Sequence, residues 1–311
     1  MLRFTGKRFL MMLPILLSIS FIIFSIMEFT PGDPARTMLG DYAPQEAVDA
    51  LREEMGLNDP FIVRYINYVS DAVRGDFGES YRTGRSCVSE IAKRFSSTLK
   101  IATYAMIISM IIGIPVGIIS AIKQYSGIDV IAIMSSLLLT SIPPFWLGLM
   151  LIMLFTLTLH WLPSVGSTSW KSFIMPSIAM AAAQMATLIR MTRSTMLEVI
   201  RQDYIRTAKS KGASEGWIIL KHSLRNALMP IITVIGIDFG NLLGGALIIE
   251  NVFGISGLGT LMVTSVKSKD TPMLVASVMF AALLSSLVNL LVDILYTYID
   301  PRVKTQLIKT H

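Results

Sequence analysis

The sequence has few of the residues that build soluble enzymes and disulfide-bonded secreted domains. Only 15% of its 311 residues are charged, against about 25% in soluble domains. One cysteine, Cys87, excludes an internal disulfide and leaves no cysteine cluster for zinc or iron–sulfur. The three histidines, His160, His222 and His311, are too scattered to indicate a metal site. No Gly-x-x-x-x-Gly-Lys-Ser/Thr phosphate loop is present, so we expect no ATP hydrolysis by this chain.

Apolar runs dominate the remainder. The chain is 53% hydrophobic with a mean hydropathy of +0.62, and six segments are long enough to cross about 30 Å of hydrocarbon. We therefore predict an all-α integral membrane protein with six transmembrane helices. Basic residues flank the apolar runs, which favours membrane lipid and argues against nucleic acid as a partner. The predicted spans are about 9–29, 99–122, 130–158, 173–193, 227–249 and 273–298.

The first span begins after Arg3, Lys7 and Arg8, as a secretory signal peptide does. Its apolar run from Phe9 to Met27 is longer than the apolar region of a signal peptide, and no small-x-small cleavage site follows. We interpret residues 1–30 as an uncleaved anchor helix.

The fourth span, FIMPSIAMAAAQMATLI, is rich in Ala and Ser rather than Leu. Small residues favour helix–helix contacts inside a membrane bundle. We therefore predict that this span lies in the interior of the bundle.

The two longest polar segments differ in charge. From Pro31 to Phe95, eight Lys/Arg and eleven Asp/Glu give a net charge of −3; from Arg190 to Asn226, eight Lys/Arg and three Asp/Glu give +5. Because basic loops stay in the cytoplasm, we predict that residues 31–95 form an extracytoplasmic domain and that both termini are cytoplasmic. Cys87, if it is exposed, should then report on the outer side of the membrane, and a cysteine replacing Ser210 on the inner side.

The basic loop, residues 194–226, contains most of the stretch RTAKSKGASEGWIILKHSLRNALMP, which runs from Arg206 to Pro230. Asp203 is placed to cap a short helix. Tyr204, Ala208 and Gly212 follow four residues apart, on one helix face. Two of these three residues are small, so another surface can approach the backbone closely. The alternative is a solvated basic loop with no docking role.

Seven short motifs are distributed over essentially the whole chain. In order they are PGDP (31–34), GLNDPFIVRY (56–65), GDFGESY (75–81), IPPFWLG (142–148), RMTRSTMLEV (190–199), DYIRTAKSKG (203–212) and LVDILY…DPR (291–302). With them the chain resembles the permeases of ABC importers, and in particular the dipeptide/oligopeptide/nickel family.

The chain departs from the general family signature at two positions and from a pattern of the peptide branch at two others. Arg206 and Thr207 replace the Glu and the first Ala of that signature, as is usual in the peptide branch. Ile255 and Ser256 stand where that branch often has Trp-Pro, so detailed contacts of that outer loop are not carried over.

The resemblance implies a type I ABC-importer permease fold in the inner membrane of a bacterium. Its layout would be an anchor helix (1–30), an extracytoplasmic domain (31–95), a membrane core (96–300) and a cytoplasmic tail (301–311). Loop 194–226 would hold a coupling helix seated in a separate ATPase subunit. The implied coupling residues are Asp203, Tyr204, Thr207, Ala208, Lys211 and Gly212.

The resemblance also implies partners. These are a second homologous permease subunit, two ATPase subunits that bind ATP and magnesium, and an extracytoplasmic substrate-binding protein. This chain itself would hold no cofactor and no metal. The family transports dipeptides, oligopeptides, glutathione and nickel chelates, and the sequence leaves the choice among them open.

The fifth span carries a glycine stripe and a carboxylate. Gly236, Gly240 and Gly244 lie four apart and favour close helix packing. The packing partner is either another span of this chain or a second permease subunit, or the stripe lines a path. Asp238, costly at membrane depth, either attracts a cationic group such as a peptide amino terminus or makes a structural hydrogen bond. Glu250 is expected at the outer mouth, in contact with solvent.

Two other classes of protein were weighed. An ion-gradient-driven secondary transporter needs charged relays or inverted repeats, and we find no inverted repeat. An intramembrane enzyme needs a nucleophile–base pair or paired aspartates. Asp238 and Asp293 are the only candidates at membrane depth, and neither lies in a protease-like motif.

Overall fold

The computed structural model describes residues 2–40, 42–167 and 169–299, and these residues are almost entirely helical. Among them the only β-pairing is an isolated bridge between Glu79 and Ser86. The predicted tail, 301–311, lies outside the described residues. The helices are α1 Leu2–Phe29, α2 Pro34–Leu39, α3 Gln45–Glu54, α4 Phe61–Val73, α5 Cys87–Ile122, α6 Gly127–Ser141, α7 Pro144–Leu151, α8 Ile174–Ile200, α9 Asp203–Ser210, α10 Glu215–Trp217, α11 Arg225–Gly245, α12 Leu247–Val252, α13 Leu258–Lys267 and α14 Thr271–Ile299.

The chain divides into two compact units. The first comprises Met1–Thr98 and Ile255–Ser286, and the second Leu99–Gly254 and Leu287–His311. The predicted extracytoplasmic domain, 31–95, is therefore not a compact unit by itself. It belongs to the same unit as α1 and the segment Ile255–Ser286.

Within the described residues, five helices are long and apolar enough to cross a membrane, and a bent helix pair makes a sixth candidate. The all-α prediction is thereby confirmed. The five are Phe9–Phe29, Cys87–Ile122, Trp170–Ile200, Glu215–Gly244 and Thr271–Val292, and the pair is Gly127–Ser141 with Pro144–Thr158.

The third predicted span, 130–158, is not the continuous helix that we expected. Its two halves meet at 96°. The break falls at Ile142 and Pro143, which both have extended backbone conformations. Proline disfavours the helical conformation in the residue before it and provides no backbone N–H. Two successive prolines, Pro143 and Pro144, therefore end one helix and begin the next.

The fourth span lies in the interior, as predicted. In the most apolar window of Trp170–Ile200, 67% of the residues are buried, the largest share among the five spans. Its small residues allow close approach. A Cβ added to Gly117 of α5 would lie 2.6 Å from the Cβ of Thr192 and 2.7 Å from the carbonyl oxygen of Ile189. Because α5 and α8 approach at backbone distance, α8 is held firmly in the second unit.

The core of the first unit contains the single cysteine. Cys87 is fully buried and packs with Ile91, Leu258, Leu261 and Met273. Cys87 therefore does not meet the condition of exposure under which it would report on the outer side, because a reagent cannot reach its thiol in the folded chain.

An introduced cysteine at an exposed position tests the sidedness instead. In a Cys87→Ala background we expect Glu53→Cys, on the exposed surface of α3, to react with a membrane-impermeant maleimide in intact cells. Ser210→Cys, exposed on α9, should react only after lysis. The reverse pattern would overturn the topology deduced from charge.

Candidate functional site

The segment that connects α8 to α10 is the candidate coupling site. It is shorter than the predicted loop 194–226, because α8 continues to Ile200 and helix resumes at Glu215. Thr192, Thr195 and Met196 are buried, and their packing continues α8 beyond the predicted end of the span at residue 193. Only residues 201–214 lie between α8 and the long helical segment Glu215–Gly244, and α9 occupies most of them.

The predicted helix forms, but Asp203 does not cap it. The N-cap residue is Gln202, no side chain caps the helix, and Asp203 is the first helical residue. The Asp203 side chain is almost fully exposed. In the first turn its negative charge still interacts favourably with the helix dipole.

The face of α9 is confirmed only in part. Tyr204, 44% exposed, and the half-buried Ala208 lie one turn apart on the helix, as predicted. Gly212 lies beyond the end of the helix and does not extend their face. Thr207 and Lys211 are exposed. Partial burial of Tyr204 raises the pKa of its phenol, while a hydrogen bond with Asn226 opposes that shift.

Ile205 anchors α9 and was not identified from the sequence. It is 2% exposed and the only buried residue of this helix. The helix packs against a π-helical segment, Ile218–Leu224. Ile205 is the only aliphatic residue larger than alanine in the octapeptide DYIRTAKS. A single large aliphatic residue in an otherwise polar helix is the sequence feature that could have predicted its burial.

Gly212 follows the end of α9 and adopts a left-handed conformation, with φ +81°. Its N–H donates to the Lys209 carbonyl at 2.9 Å, and that of Ala213 to the Ala208 carbonyl at 3.2 Å. These two bonds form a Schellman motif, which satisfies the last carbonyls of a helix. A Cβ at Gly212 would meet nothing within 4 Å. Glycine is needed here for its backbone conformation, since space is not limiting.

A buried ion pair holds α8 seven residues before its end. Arg193 donates from Nε to Oδ1 of Asp129 at 2.6 Å and from a terminal nitrogen to Oδ2 at 2.8 Å. Asp129 is only 2% exposed. A two-pronged guanidinium–carboxylate contact of this kind is among the strongest polar interactions in proteins.

The same carboxylate joins several elements of the second unit. Asp129 also accepts the Ser120 hydroxyl of α5 and, at 2.9 Å, the backbone N–H of Tyr125 in the α5–α6 turn. We call Ser120, Tyr125, Asp129 and Arg193 the Asp129 clamp. The clamp was not predicted from the sequence, although Ser126 and Asp129 have the spacing of a capping box; the Ser126 hydroxyl accepts the Asp129 N–H at 3.4 Å.

The glycine stripe of the fifth span divides into different environments. A Cβ added to Gly236 would overlap the Val292 side chain of α14, so this position packs within the chain. Gly240 is buried. Gly244 is exposed, with nothing within 4 Å of an added Cβ.

The acidic residues of this region also differ from each other. The Oδ2 atom of Asp238 is buried and has no hydrogen-bond partner among the described residues. Glu250 is completely buried, so the expectation of solvent contact is wrong. Its helix, α12, follows α11 directly and packs against α7 and α8. The Asp293 side chain lies outside the described part of the chain.

These structural features together indicate a class of protein. The protein is helical and crosses the membrane several times, and it presents a short, C-capped helix between two of its spans. This arrangement is typical of a membrane subunit that contacts a partner outside the bilayer. The model of the family "Binding-protein-dependent transport system inner membrane component" matches residues 113–305, and the model of its N-terminal region matches residues 1–102.

Similar curated proteins cover the chain almost end to end. The glutathione transport system permease protein GsiC of Escherichia coli K12 is 40% identical over 304 residues, 98% of this chain and 99% of that protein. The dipeptide transport system permease protein DppB of Alkalihalophilus pseudofirmus is 39% identical over 332 residues, 98% and 100% of the two chains. A MetNI methionine ABC transporter solved in inward-facing conformations shares the fold at 17% identity, with a TM-score of 0.58, over 68% of this chain and 97% of that one.

The chain belongs to the family of binding-protein-dependent transport system inner membrane components. It is a permease subunit of an ABC importer and a multi-pass protein of the inner membrane. This assignment replaces the two alternative classes considered from the sequence, the secondary transporter and the intramembrane enzyme.

Removing the cation of the Asp129 clamp should destabilise the chain. Arg193→Ala leaves a buried carboxylate without its ion pair, which costs about 3–5 kcal/mol in comparable sites. We expect a lower thermal-unfolding midpoint for the purified protein, partly restored by Asp129→Asn in the same chain. Arg201→Ala is the control, because Arg201 is exposed and makes one 3.4 Å bond to Gln124. An equal loss in both single variants would contradict a special role of the clamp.

Crowding at Gly236 should also be measurable. Gly236→Ala should lower the free energy of unfolding by about 1–3 kcal/mol, the usual cost of overpacking. Val292→Ala in the same chain should restore part of the loss, because Val292 is the residue that the new methyl group would overlap. Gly244→Ala has open space and should leave thermal unfolding unchanged. Similar losses at positions 236 and 244 would refute packing against α14.

Proposed function

We propose that this chain imports small peptides, glutathione included, as one membrane subunit of an ATP-driven complex. Relatives named for glutathione and dipeptide transport, at 40% and 39% identity over nearly their full lengths, support this range of substrates. Both names describe short peptides, so a path for a peptide backbone is their common requirement. Nickel chelates remain the alternative, without a specific observation in their favour.

We propose that α9 is the coupling helix. The observation that carries this role is its construction: an exposed eight-residue helix with one buried anchor, Ile205, and a Schellman end at Gly212. A short helix transmits force to the spans only if its ends are fixed. The proposed contact set for the ATPase is Asp203, Tyr204, Thr207, Ala208, Lys211 and Gly212.

The Asp129 clamp would carry this force into the membrane core. Two residues, Arg201 and Gln202, connect α9 to α8. Arg193 lies two turns before the end of α8 and is tied through Asp129 to α5 and to the α5–α6 turn. Movement of α9 would therefore displace these elements together. Packing of α8 against α6, α7 and α11 would spread the movement through the second unit.

The proposed assembly has a second permease subunit, two ATPase subunits with ATP and magnesium, and an extracytoplasmic binding protein. Two positions on α11 have no partner among the residues that the structure describes. Gly244 faces open space, and the buried Oδ2 of Asp238 has no hydrogen-bond partner among the described residues. We assign Gly244 to contact with the second permease subunit. Asp238 would face that subunit or a hydrated solute path, since a carboxylate is costly in lipid.

The glycine at the end of α9 provides a test of coupling. Gly212→Val forces a β-branched residue into the left-handed region, at a cost of about 1–2 kcal/mol, whereas Gly212→Asn tolerates that region better. We expect Gly212→Val to insert normally but to lose on the order of tenfold in dipeptide or glutathione transport. ATP hydrolysis should then respond weakly to substrate-loaded binding protein. Ala208→Trp should have the same effect through bulk on the exposed face.

The control is Gly216→Val, because Gly216 also has open space around an added Cβ but no positive φ. The complex should be reconstituted with its ATPase subunits and binding protein, and transport and ATP hydrolysis measured together. Normal coupling in both Gly212→Val and Ala208→Trp would refute the docking role of α9. Transport of a nickel chelate, with neither peptide transported, would refute the proposed substrate class and leave the coupling role intact.

A further inference from the structure

Helix α4 lies beside the apolar span of α1 rather than beyond its end. The Tyr65 hydroxyl donates to the Leu17 carbonyl at 3.0 Å and lies 3.0 Å from the Ser20 hydroxyl. The Tyr65 ring also packs edge-on against Phe21 and Phe24, with centroids 5.2 and 5.7 Å apart. The apolar span of α1 ends at Phe29. At 1.5 Å per residue, Leu17 and Ser20 lie about 14–18 Å below that end.

The sequence of α4 has three distinct faces. With 3.6 residues per turn, Phe61, Tyr65 and Tyr68 share the face that contacts α1, as their ring contacts with Phe21 and Phe24 show. Two flanks lie on either side of this contact face. One flank is polar and consists of Arg64, Asn67 and Asp71; the other is apolar and consists of Ile62, Ile66, Val69 and Val73.

One ion pair fixes which flank faces the membrane surface. Arg64 pairs with Glu28, next to the C-terminal end of the α1 span. Asn67 and Asp71 line the same 260 Å³ cavity as Glu28 and Arg64. The polar flank therefore points toward the end of α1. The apolar flank must point the other way, down along α1 toward the middle of the span.

Most of the apolar flank is exposed in the described part of the chain; only Val69 is partly buried. Ile62, Ile66 and Val73 are 54%, 58% and 84% exposed. A span that runs from Phe9 to Phe29 places the depth of Leu17 and Ser20 within the hydrocarbon layer. The Tyr65 hydroxyl is satisfied by a backbone carbonyl instead of water, as a polar group at membrane depth requires.

We propose that α4 is an in-plane amphipathic helix embedded in the leaflet at the C-terminal end of α1. Its apolar flank contacts lipid acyl chains, and its polar flank faces the headgroups. This is the arrangement of interfacial helices with a polar and an apolar side. By the charge asymmetry, that leaflet is the outer one. Residues 31–95 are then not wholly outside the membrane, because their longest helix before α5 lies within it.

Neighbouring positions on the two flanks test this placement. In a Cys87→Ala background, Ile66→Cys on the apolar flank and Asn67→Cys on the polar flank are each labelled with an environment-sensitive fluorophore. The complex is reconstituted in vesicles of phosphatidylethanolamine and phosphatidylglycerol with added phosphatidylcholine that carries a doxyl quencher on its acyl chain. We expect several-fold stronger doxyl quenching at position 66 than at position 67, and stronger quenching by aqueous iodide at position 67.

Two results would overturn the proposal. Equal iodide quenching at both positions would place α4 in water. Protection of position 66 from both quenchers, together with crosslinking from that position to the second permease subunit, would show protein in place of lipid. If Ile66→Cys prevents assembly, Val73→Cys and Asp71→Cys make the same comparison one to two turns later on the same two flanks.

Discussion

The second unit depends on one carboxylate that cannot be left unpaired. Asp129 is buried, and an ionised carboxylate away from water requires a cation and further hydrogen bonds. Arg193, Ser120 and the backbone of Tyr125 supply them from three different parts of the chain. The position of α8 relative to the α5–α6 turn is therefore set by charge as well as by packing. Since α9 follows α8 after two residues, the proposed coupling helix inherits that position.

The two sides of α9 are built differently. Before it, α8 is an unbroken helix whose close contact with α5 depends on Gly117. After it, the chain enters the π-helical segment Ile218–Leu224, against which α9 packs. A π-helical turn departs from the regular hydrogen-bond pattern and is common at functional sites. In the proposed coupling role, a push on α9 would meet a regular, clamped helix on one side and an irregular turn on the other, so the movement of the second unit should follow α8.

The sequence predicts what depends on local chemistry and misses what depends on long-range contacts. Hydropathy located the spans, and the small residues of the fourth span predicted its burial. The spacing of Tyr204 and Ala208 predicted that they share one face of α9, because residues four apart lie on the same side of a helix. The pair Pro143–Pro144 predicts a helix break at this point. The length of the apolar run, on which our prediction rested, instead indicates a continuous span. The clamp was not predicted, because the partners Asp129 and Arg193 are separated by 64 positions and a charge near a span has many possible partners.

Counting charges fails for α4 because sidedness and depth are different properties. The net charge of residues 31–95 concerns which side of the membrane the segment occupies, and it is the same whether α4 lies above the bilayer or in its surface. Depth is decided by how polar and apolar residues are distributed around the helix and by what fixes its rotation. In α4 the rotation is fixed by Tyr65 on one face and Arg64 on the next. In α9, which has a single buried residue, the remaining surface is polar and belongs in water. Two short helices of one chain thus meet different surroundings, and the difference follows from their faces rather than from their net charge.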